Sequence, residues 1–239
     1  MDKKKYTAII LSAGTGSRMK SNMPKQYMEL LGKPVIYYSI KAFEDSPVDE
    51  IVIVCSTDYI EYFRHSIIEK YGFEKVKAVV QGGKERYNSV YEGLKAANGT
   101  DYVLIHDGAR PLVDNEIIVR SMNTVEKEKA CVAGMPVKDT IKVSDEFGYS
   151  ANTPDRKSLW QIQTPQCFEY DLLAQSYDKL FSDMLYGKSV PAITDDAMIV
   201  EYGSDTKVKL IEGSYENIKV TTPEDMGIAE LFLKKREKM

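Results

Sequence analysis

The sequence predicts an α/β fold, an open and mostly parallel sheet in a three-layer arrangement. Three observations predict it. Short, branched apolar runs recur along the chain and alternate with amphipathic stretches, which means parallel strands joined by crossover helices. Two of the runs break directly into glycine turns, the place where open α/β sheets bind ligands. The chain has 239 residues and is 43% apolar, enough to bury a sizeable core.

Taken in order, Ala8-Ile9-Ile10-Leu11 is the first strand. It runs straight into Ser12-Ala13-Gly14-Thr15-Gly16-Ser17-Arg18-Met19, then Lys20-Ser21-Asn22-Met23-Pro24-Lys25-Gln26. Pro34 to Phe43 places Val35, Ile36, Ile40 and Phe43 on one helical face. The unbroken run Ile51-Val52-Ile53-Val54-Cys55 is a buried strand. Residues 59–71 predict a second helix, ended by Gly72, and residues 76–80 a third strand. Gln81-Gly82-Gly83-Lys84-Glu85-Arg86 is the second glycine turn, and a helix follows to Ala97. Tyr102-Val103-Leu104-Ile105 is the fourth strand and ends at His106-Asp107-Gly108-Ala109-Arg110-Pro111. Asp114 caps a helix to about Glu128, and Ala130-Cys131-Val132-Ala133 is the next strand.

The pattern then changes. Residues 137–143 and 159–163 are strand-like, and the alternation in Thr140-Ile141-Lys142-Val143 suits a two-sided hairpin. Helices are expected at about 170–180 and 196–202, a strand at 207–211, and a short β-prone run at 217–222. Pro223, after Thr222, opens the last helix, with Glu224 and Asp225 at its positive end.

Composition excludes several classes. Net charge is −4, from 32 basic and 36 acidic residues, which argues against a general nucleic-acid binder. An anionic ligand therefore needs a local basic pocket. No apolar run reaches membrane-spanning length, and the segment from Met1 into the first strand is too short for a signal-peptide core. The three cysteines, Cys55, Cys131 and Cys167, are scattered, which fits reduced thiols in a cytoplasmic protein. With only His65 and His106, a histidine-rich metal centre is excluded, and His106 reads as a packed structural residue.

The first glycine turn sets bare backbone N–H groups at a strand's carboxyl edge, suited to phosphate oxygens. Arg18 and Lys25 add fixed positive charge beside it. The nicotinamide fingerprint needs a third glycine where Met19 stands, and the closing Gly-Lys-Ser/Thr of a P-loop is missing. Taken alone, the glycines fit a plain βα turn as well as a phosphate cradle.

The stretch from Ser12 to Met19, with Pro24-Lys25-Gln26, resembles the signature of sugar-nucleotide pyrophosphorylases and cytidylyltransferases. Within that group the chain is most similar to the 2-C-methyl-D-erythritol 4-phosphate cytidylyltransferase family. The resemblance covers nearly the whole chain through the Gly82-Gly83 turn, His106 to Pro111, Thr164-Pro165-Gln166-Cys167-Phe168 and Asn217-Ile218-Lys219. It implies a single Rossmann-like nucleotidyltransferase domain over residues 1–239. Inserted in it, residues 136–164 would form a protruding β-hairpin arm that embraces a second subunit of a homodimer. It implies transfer of CMP from CTP to methylerythritol 4-phosphate for isoprenoid precursors, with Mg²⁺ and without nucleic acid or membrane.

In that family's terms Arg18, Lys25 and Lys219 are the catalytic cations. Ser12, Ala13, Gly14, Gly16, Gly83, Ser89, Asp107 and Gly108 bind the nucleotide, and Asp107 lies by the metal. Thr140, Arg156, Thr164, Thr194 and Asp195 serve the sugar phosphate. The family commonly carries an acid where Lys84 stands, and usually alanine where Ser12 stands. Ribitol 5-phosphate cytidylyltransferases resemble the chain throughout, although their aspartate motif tends to differ at Gly108-Ala109. A nicotinamide dehydrogenase and a non-catalytic nucleotide sensor are the alternatives of other classes.

Overall fold

The computed structural model describes residues 3–14 and 23–237. Its centre is a seven-stranded sheet. The strands in chain order are β1 (Tyr6–Ser12), β4 (Glu50–Cys55), β5 (Val76–Gln81), β6 (Tyr102–Asp107), β7 (Ala130–Pro136), β10 (Trp160–Glu169) and β11 (Lys209–Glu212). Two small antiparallel pairs supply the intervening numbers: β2 (Glu29–Leu30) with β3 (Lys33–Pro34), and β8 (Val143–Ser144) with β9 (Ser150–Asn152).

Spatial order in the large sheet is β11-β7-β10-β6-β1-β4-β5. β1 pairs in parallel with β4 and β6, β4 with β5, and β11 with β7. β10 alone runs against its neighbours, β6 and β7. The mostly parallel sheet read from the sequence is therefore present. From β1 the chain steps outward to β4 and β5, then returns to β6 on β1's other side. The gap between the ends of β1 and β6 is thus the topological switch point, where such sheets take ligands.

Alternation along the strands feeds two cores. Ala8 and Ile10 of β1 join Ile51, Ile53 and Leu104 under the helices α1 (Val35–Glu44) and α4 (Asn115–Glu128). Ile9 joins Val52, Val54, Val103 and Ile105 on the opposite face, under α3 (Arg86–Ala96), α5 (Tyr170–Leu185) and α6 (Asp196–Gly203). Burying both faces explains why these strands read as continuous apolar runs. The last helix, α7 (Pro223–Arg236), docks through Ala229 onto Leu30, Val35, Leu112 and Val220. Pro223 and a reciprocal Thr222–Asp225 capping box start it, and Asp114 caps α4 by accepting from the Ile117 amide at 2.9 Å.

The helix expected over 59–71 is present over residues 60–71, starting as α2 (Ile60–Tyr62) and π-helical over Phe63–Glu69. Two other sequence expectations change. Residues 217–222 form no strand; Val220 instead donates its amide to the Ala109 carbonyl at 2.8 Å and packs in the α7 cluster. Of the strand-like run 137–143, only Val143 belongs to a strand, paired with Asn152.

That last segment belongs to the insertion between β7 and β10. The two strands are antiparallel partners from Phe168 opposite Ala130 to Trp160 opposite Pro136, so the insertion is the extended tip of their hairpin. β7 runs parallel to β6, so the tip leaves the sheet at the same carboxyl edge as the switch point. Residues 138–153 are all exposed, with Phe147 at 78% and Tyr149 at 74%. At the base of the hairpin Lys138 Nζ lies 3.4 Å from the centre of the Tyr215 ring.

Candidate active site

A cavity of about 300 Å³ opens at the switch point. Its walls come from the end of β1 (Ser12, Ala13, Gly14), from Lys25 and Gln26, and from the turn after β5 (Gly83, Lys84, Glu85, Arg86, Ser89). Asp107 at the end of β6 and Lys219 before α7 complete it. Its volume is at the lower end of the range for small-molecule sites.

Gln26 shapes the first turn. Its side-chain amide donates to the Ser12 carbonyl at 2.7 Å and to the Gly14 carbonyl at 2.9 Å. The Ser12 hydroxyl is tied to Tyr27 at 3.0 Å, so it is held in the packing beneath the loop. In the second turn the Ser89 hydroxyl accepts from the Gly83 amide at 3.1 Å. A Cβ on Gly82 would stand 2.7 Å from the Ala13 Cβ and 2.8 Å from the Ser89 hydroxyl, so the two turns meet at glycine contact distance.

Charge concentrates around Asp107. Lys219 Nζ donates to Asp107 Oδ2 at 2.7 Å, Arg86 Nε lies 3.5 Å from Oδ1, and Arg110 Nε lies 3.9 Å from Oδ2. Burial alone would raise the Asp107 carboxyl, but the Arg86, Lys219 and Arg110 cations prevail and hold it far below the usual carboxylate range. Arg110 donates to the Asn217 carbonyl at 2.8 Å, which clamps the Lys219 segment across the end of β6. Lys25 also lines the cavity and is almost buried.

His106 is the structural residue the sequence suggests. It is fully buried, its Nδ1 lies 3.0 Å from the Thr164 hydroxyl, and its Nε2 lies 3.2 Å from the Arg110 carbonyl. That carbonyl needs a donor, so the proton sits on Nε2 and Thr164 donates to Nδ1. The Thr164 hydroxyl in turn accepts from the Asp107 amide at 3.1 Å. Burial pushes the His106 pKa down to about 4.

The structure therefore gathers Ser12, Ala13, Gly14, Lys25, Gly83, Ser89, Asp107 and Lys219 around one cavity. Gly16 and Arg18 lie outside the described residues. Gly108 packs behind the cavity against Ile36 and the Leu11 carbonyl, and Thr164 sits buried behind Asp107. Asp195 caps α6 through the Met198 amide and also accepts from Gln166 at 3.1 Å, with the exposed Thr194 beside it. Thr140 and Arg156 stand exposed on the hairpin, where Arg156 donates to the Lys138 carbonyl at 2.8 Å. Sequence reasoning passed over Arg86 and Gln26, although both lie inside quoted motifs. The available signal for Arg86 was a cation opening a helix straight after a glycine turn.

Among the described residues no group of three or more His, Cys, Asp or Glu side chains could hold a metal. Mg²⁺ does not require such a cage, because it binds through one or two carboxylates plus substrate phosphates. Asp107, ionised and facing the cavity, is a donor of that kind.

Comparison with known proteins agrees with this geometry. The family model described as 2-C-methyl-D-erythritol 4-phosphate cytidylyltransferase (IspD) matches residues 6–235. The chain belongs to this family. Among cytidylyltransferases of that name, the Lachnospira eligens protein is 52% identical, over 95% of this chain and 99% of its own. The Lachnoclostridium phytofermentans protein is 50% identical over 98% of both. A solved 4-diphosphocytidyl-2C-methyl-D-erythritol synthase from Anaerococcus prevotii superposes with a TM-score of 0.83 at 35% identity, covering 97% of this chain and 96% of that one. Membership of the 2-C-methyl-D-erythritol 4-phosphate cytidylyltransferase family accounts for a first glycine motif that fits neither the nicotinamide nor the P-loop pattern.

Proposed function

We propose that this protein transfers CMP from CTP to 2-C-methyl-D-erythritol 4-phosphate, releasing pyrophosphate and forming 4-diphosphocytidyl-2-C-methyl-D-erythritol. The observation that carries the reading is the cavity at the switch point, where cations from separate parts of the chain face one space, in a chain of this family. A phosphate oxygen of the acceptor forms the new bond to the α-phosphorus, and the bond from that phosphorus to the bridging oxygen of pyrophosphate breaks. The acceptor phosphate is already an anion near neutral pH, so the reaction needs no general base. Positioning and charge neutralisation are the residues' work.

Lys25 and Lys219, with Arg18, offset charge growing on the triphosphate. The Gly14 turn offers backbone donors to the phosphates. Gly83 and Ser89 border the nucleotide's base and Asp107 its phosphate end, with Gly108 supporting Asp107 from behind the cavity. Mg²⁺ would be held on the protein side by Asp107 and would neutralise phosphate charge. Thr140 and Arg156 hold the acceptor phosphate in the site of a second subunit, with Thr164, Thr194 and Asp195 supporting the acceptor's side. The hairpin supports a homodimer, because it is exposed on its own chain and leaves from the carboxyl edge. A cytoplasmic location goes with this, on three free cysteines that are all buried; no helix among the described residues is long and apolar enough to cross a membrane.

The test offers CTP and Mg²⁺ with methylerythritol 4-phosphate or ribitol 5-phosphate in parallel and follows pyrophosphate. Release with the first and not the second is expected. Release with ribitol 5-phosphate alone would overturn the assignment.

A further inference from the structure

Two cations of the cavity wall, Lys84 and Arg86, have no task in nucleotidyl transfer, and of these Arg86 is the one paired with buried carboxylates. Arg86 opens α3 directly after the second glycine turn and faces two carboxylates. Its Nη2 lies 2.8 Å from Asp196 Oδ2, and its Nε lies 3.5 Å from Asp107 Oδ1. Asp196 is fully buried and does not line the cavity. It is itself fixed: its Oδ1 accepts from the Tyr177 hydroxyl at 2.8 Å, and its amide donates to Gln166 Oε1 at 2.9 Å. Arg86 thus has an anchored end and an end at the cavity. Lys219 is placed differently. It pairs with Asp107 from a loop, and its side chain is 37% exposed.

Resting on the nucleotidyl-transfer reading, we infer that Arg86 is a positioning residue: anchored by Asp196, it keeps Asp107 paired and in place while Lys219 leaves Asp107 for the triphosphate. Lys219 cannot serve both partners fully. The only other cation there, among the described residues, is Arg110, whose Nε stands 3.9 Å from Oδ2, beyond hydrogen-bond reach, while its side chain donates to the Asn217 carbonyl. A mostly buried carboxylate left with that distant partner is costly, so without Arg86 the lysine stays on Asp107. The planar guanidinium suits the task because its fork addresses two carboxylates at once, which a lysine ammonium on a flexible stem does not. Asp107 then holds one orientation through the exchange.

The test is CTP affinity by calorimetry in EDTA, beside turnover with methylerythritol 4-phosphate. Arg86→Gln is expected to weaken CTP binding about tenfold or more, and Asp107→Asn added to it to restore much of the loss. The deciding quantity is the coupling: Asp107→Asn should help CTP binding at least about tenfold more in the Arg86→Gln background than in the wild type. Asp196→Asn, away from the cavity wall, should reproduce part of the Arg86→Gln defect. Unchanged affinity in Arg86→Gln, or an equal effect of Asp107→Asn in both backgrounds, would overturn the inference. If Arg86→Gln does not fold, Arg86→Lys replaces it, since it keeps the charge without spanning both carboxylates. A wild-type protein that releases no pyrophosphate would instead reject the reaction on which the inference rests.

Discussion

Lys219 and Asp107 lie 112 positions apart in the chain and meet at 2.7 Å between Nζ and Oδ2. The contact joins the end of the strand β6 to the loop before the helix α7, and the Arg110 side chain holds that loop in register through the Asn217 carbonyl. Lys219→Met should therefore remove a cation that faces the triphosphate while Arg86 still pairs Asp107. We expect kcat to fall roughly 10²–10³-fold, as for loss of a preorganised donor. Pyrophosphate release under saturating substrates measures it, and thermal unfolding should report a folded protein.

Lys25 lines the same cavity, almost buried. Lys25→Ala should cost about 2–4 kcal/mol of transition-state stabilisation. Steady-state kinetics with CTP as the varied substrate check this, and an intact kcat would remove Lys25 from the catalytic set.

Much of this was legible in the sequence because local chemistry and tertiary position coincide. The runs at Ile9, Ile53 and Leu104 are buried on both faces, so their composition alone marks a covered parallel sheet. Ser12-Ala13-Gly14, Gly83 and Asp107 sit at strand ends, where topology decides that a ligand binds. What stayed hidden depends on pairing across the chain. Asp196 looks like a helix-start acid beside Asp195, and only the packing of α5 and α6 against α3 turns it toward Arg86. Thr164 reads as part of a motif, but its hydroxyl is spent on His106 and the Asp107 amide. The run at 217–220 is β-prone by composition, yet it meets Ala109 and the α7 cluster instead of a sheet edge.

Buried His106 makes stability depend on pH in a defined window. Its pKa is lowered from 6.5 to about 4 by burial, so the folded state favours the neutral ring. A lowered histidine pKa gives stability that is complete above the unfolded value near 6.5 and is lost as pH falls through 6.5 toward 4. Over that window the loss from this one group is about 3 kcal/mol. His106→Asn, although less stable outright, should show a shallower fall between those limits. Urea midpoints at closely spaced pH values compare the two slopes.

The exposed hairpin predicts sharing of sites between subunits. Phe147 and Tyr149 are exposed at its tip, and Arg156 stands on its return limb. Arg156→Ala and Lys25→Ala chains should each be nearly inactive alone. Co-refolded together, they should regain activity in one of the two sites of each mixed dimer, which has one arm and one cavity both intact. Titrating one variant against the other and following pyrophosphate gives the recovery. Its absence at every ratio would leave the hairpin with no part in catalysis.

Gly108 separates the support of the site from its chemistry. It follows Asp107 directly, and its amide donates to the Leu11 carbonyl at 2.9 Å. An added Cβ would stand 2.1 Å from Ile36 Cδ1 and 2.9 Å from the Leu11 carbonyl oxygen. The isoleucine tip can turn aside, but the carbonyl belongs to β1 and cannot move without carrying Ser12 with it. Overpacking of this kind costs about 1–3 kcal/mol. Gly108→Ala should therefore unfold at lower urea and also raise KM for CTP, because the displaced strand carries the first glycine turn. Gly108→Ala combined with Ile36→Val removes the clash with the side chain and leaves the one with the carbonyl. It should recover part of the stability while KM stays high; recovery of both together would show that the isoleucine, and not the strand, transmits the effect.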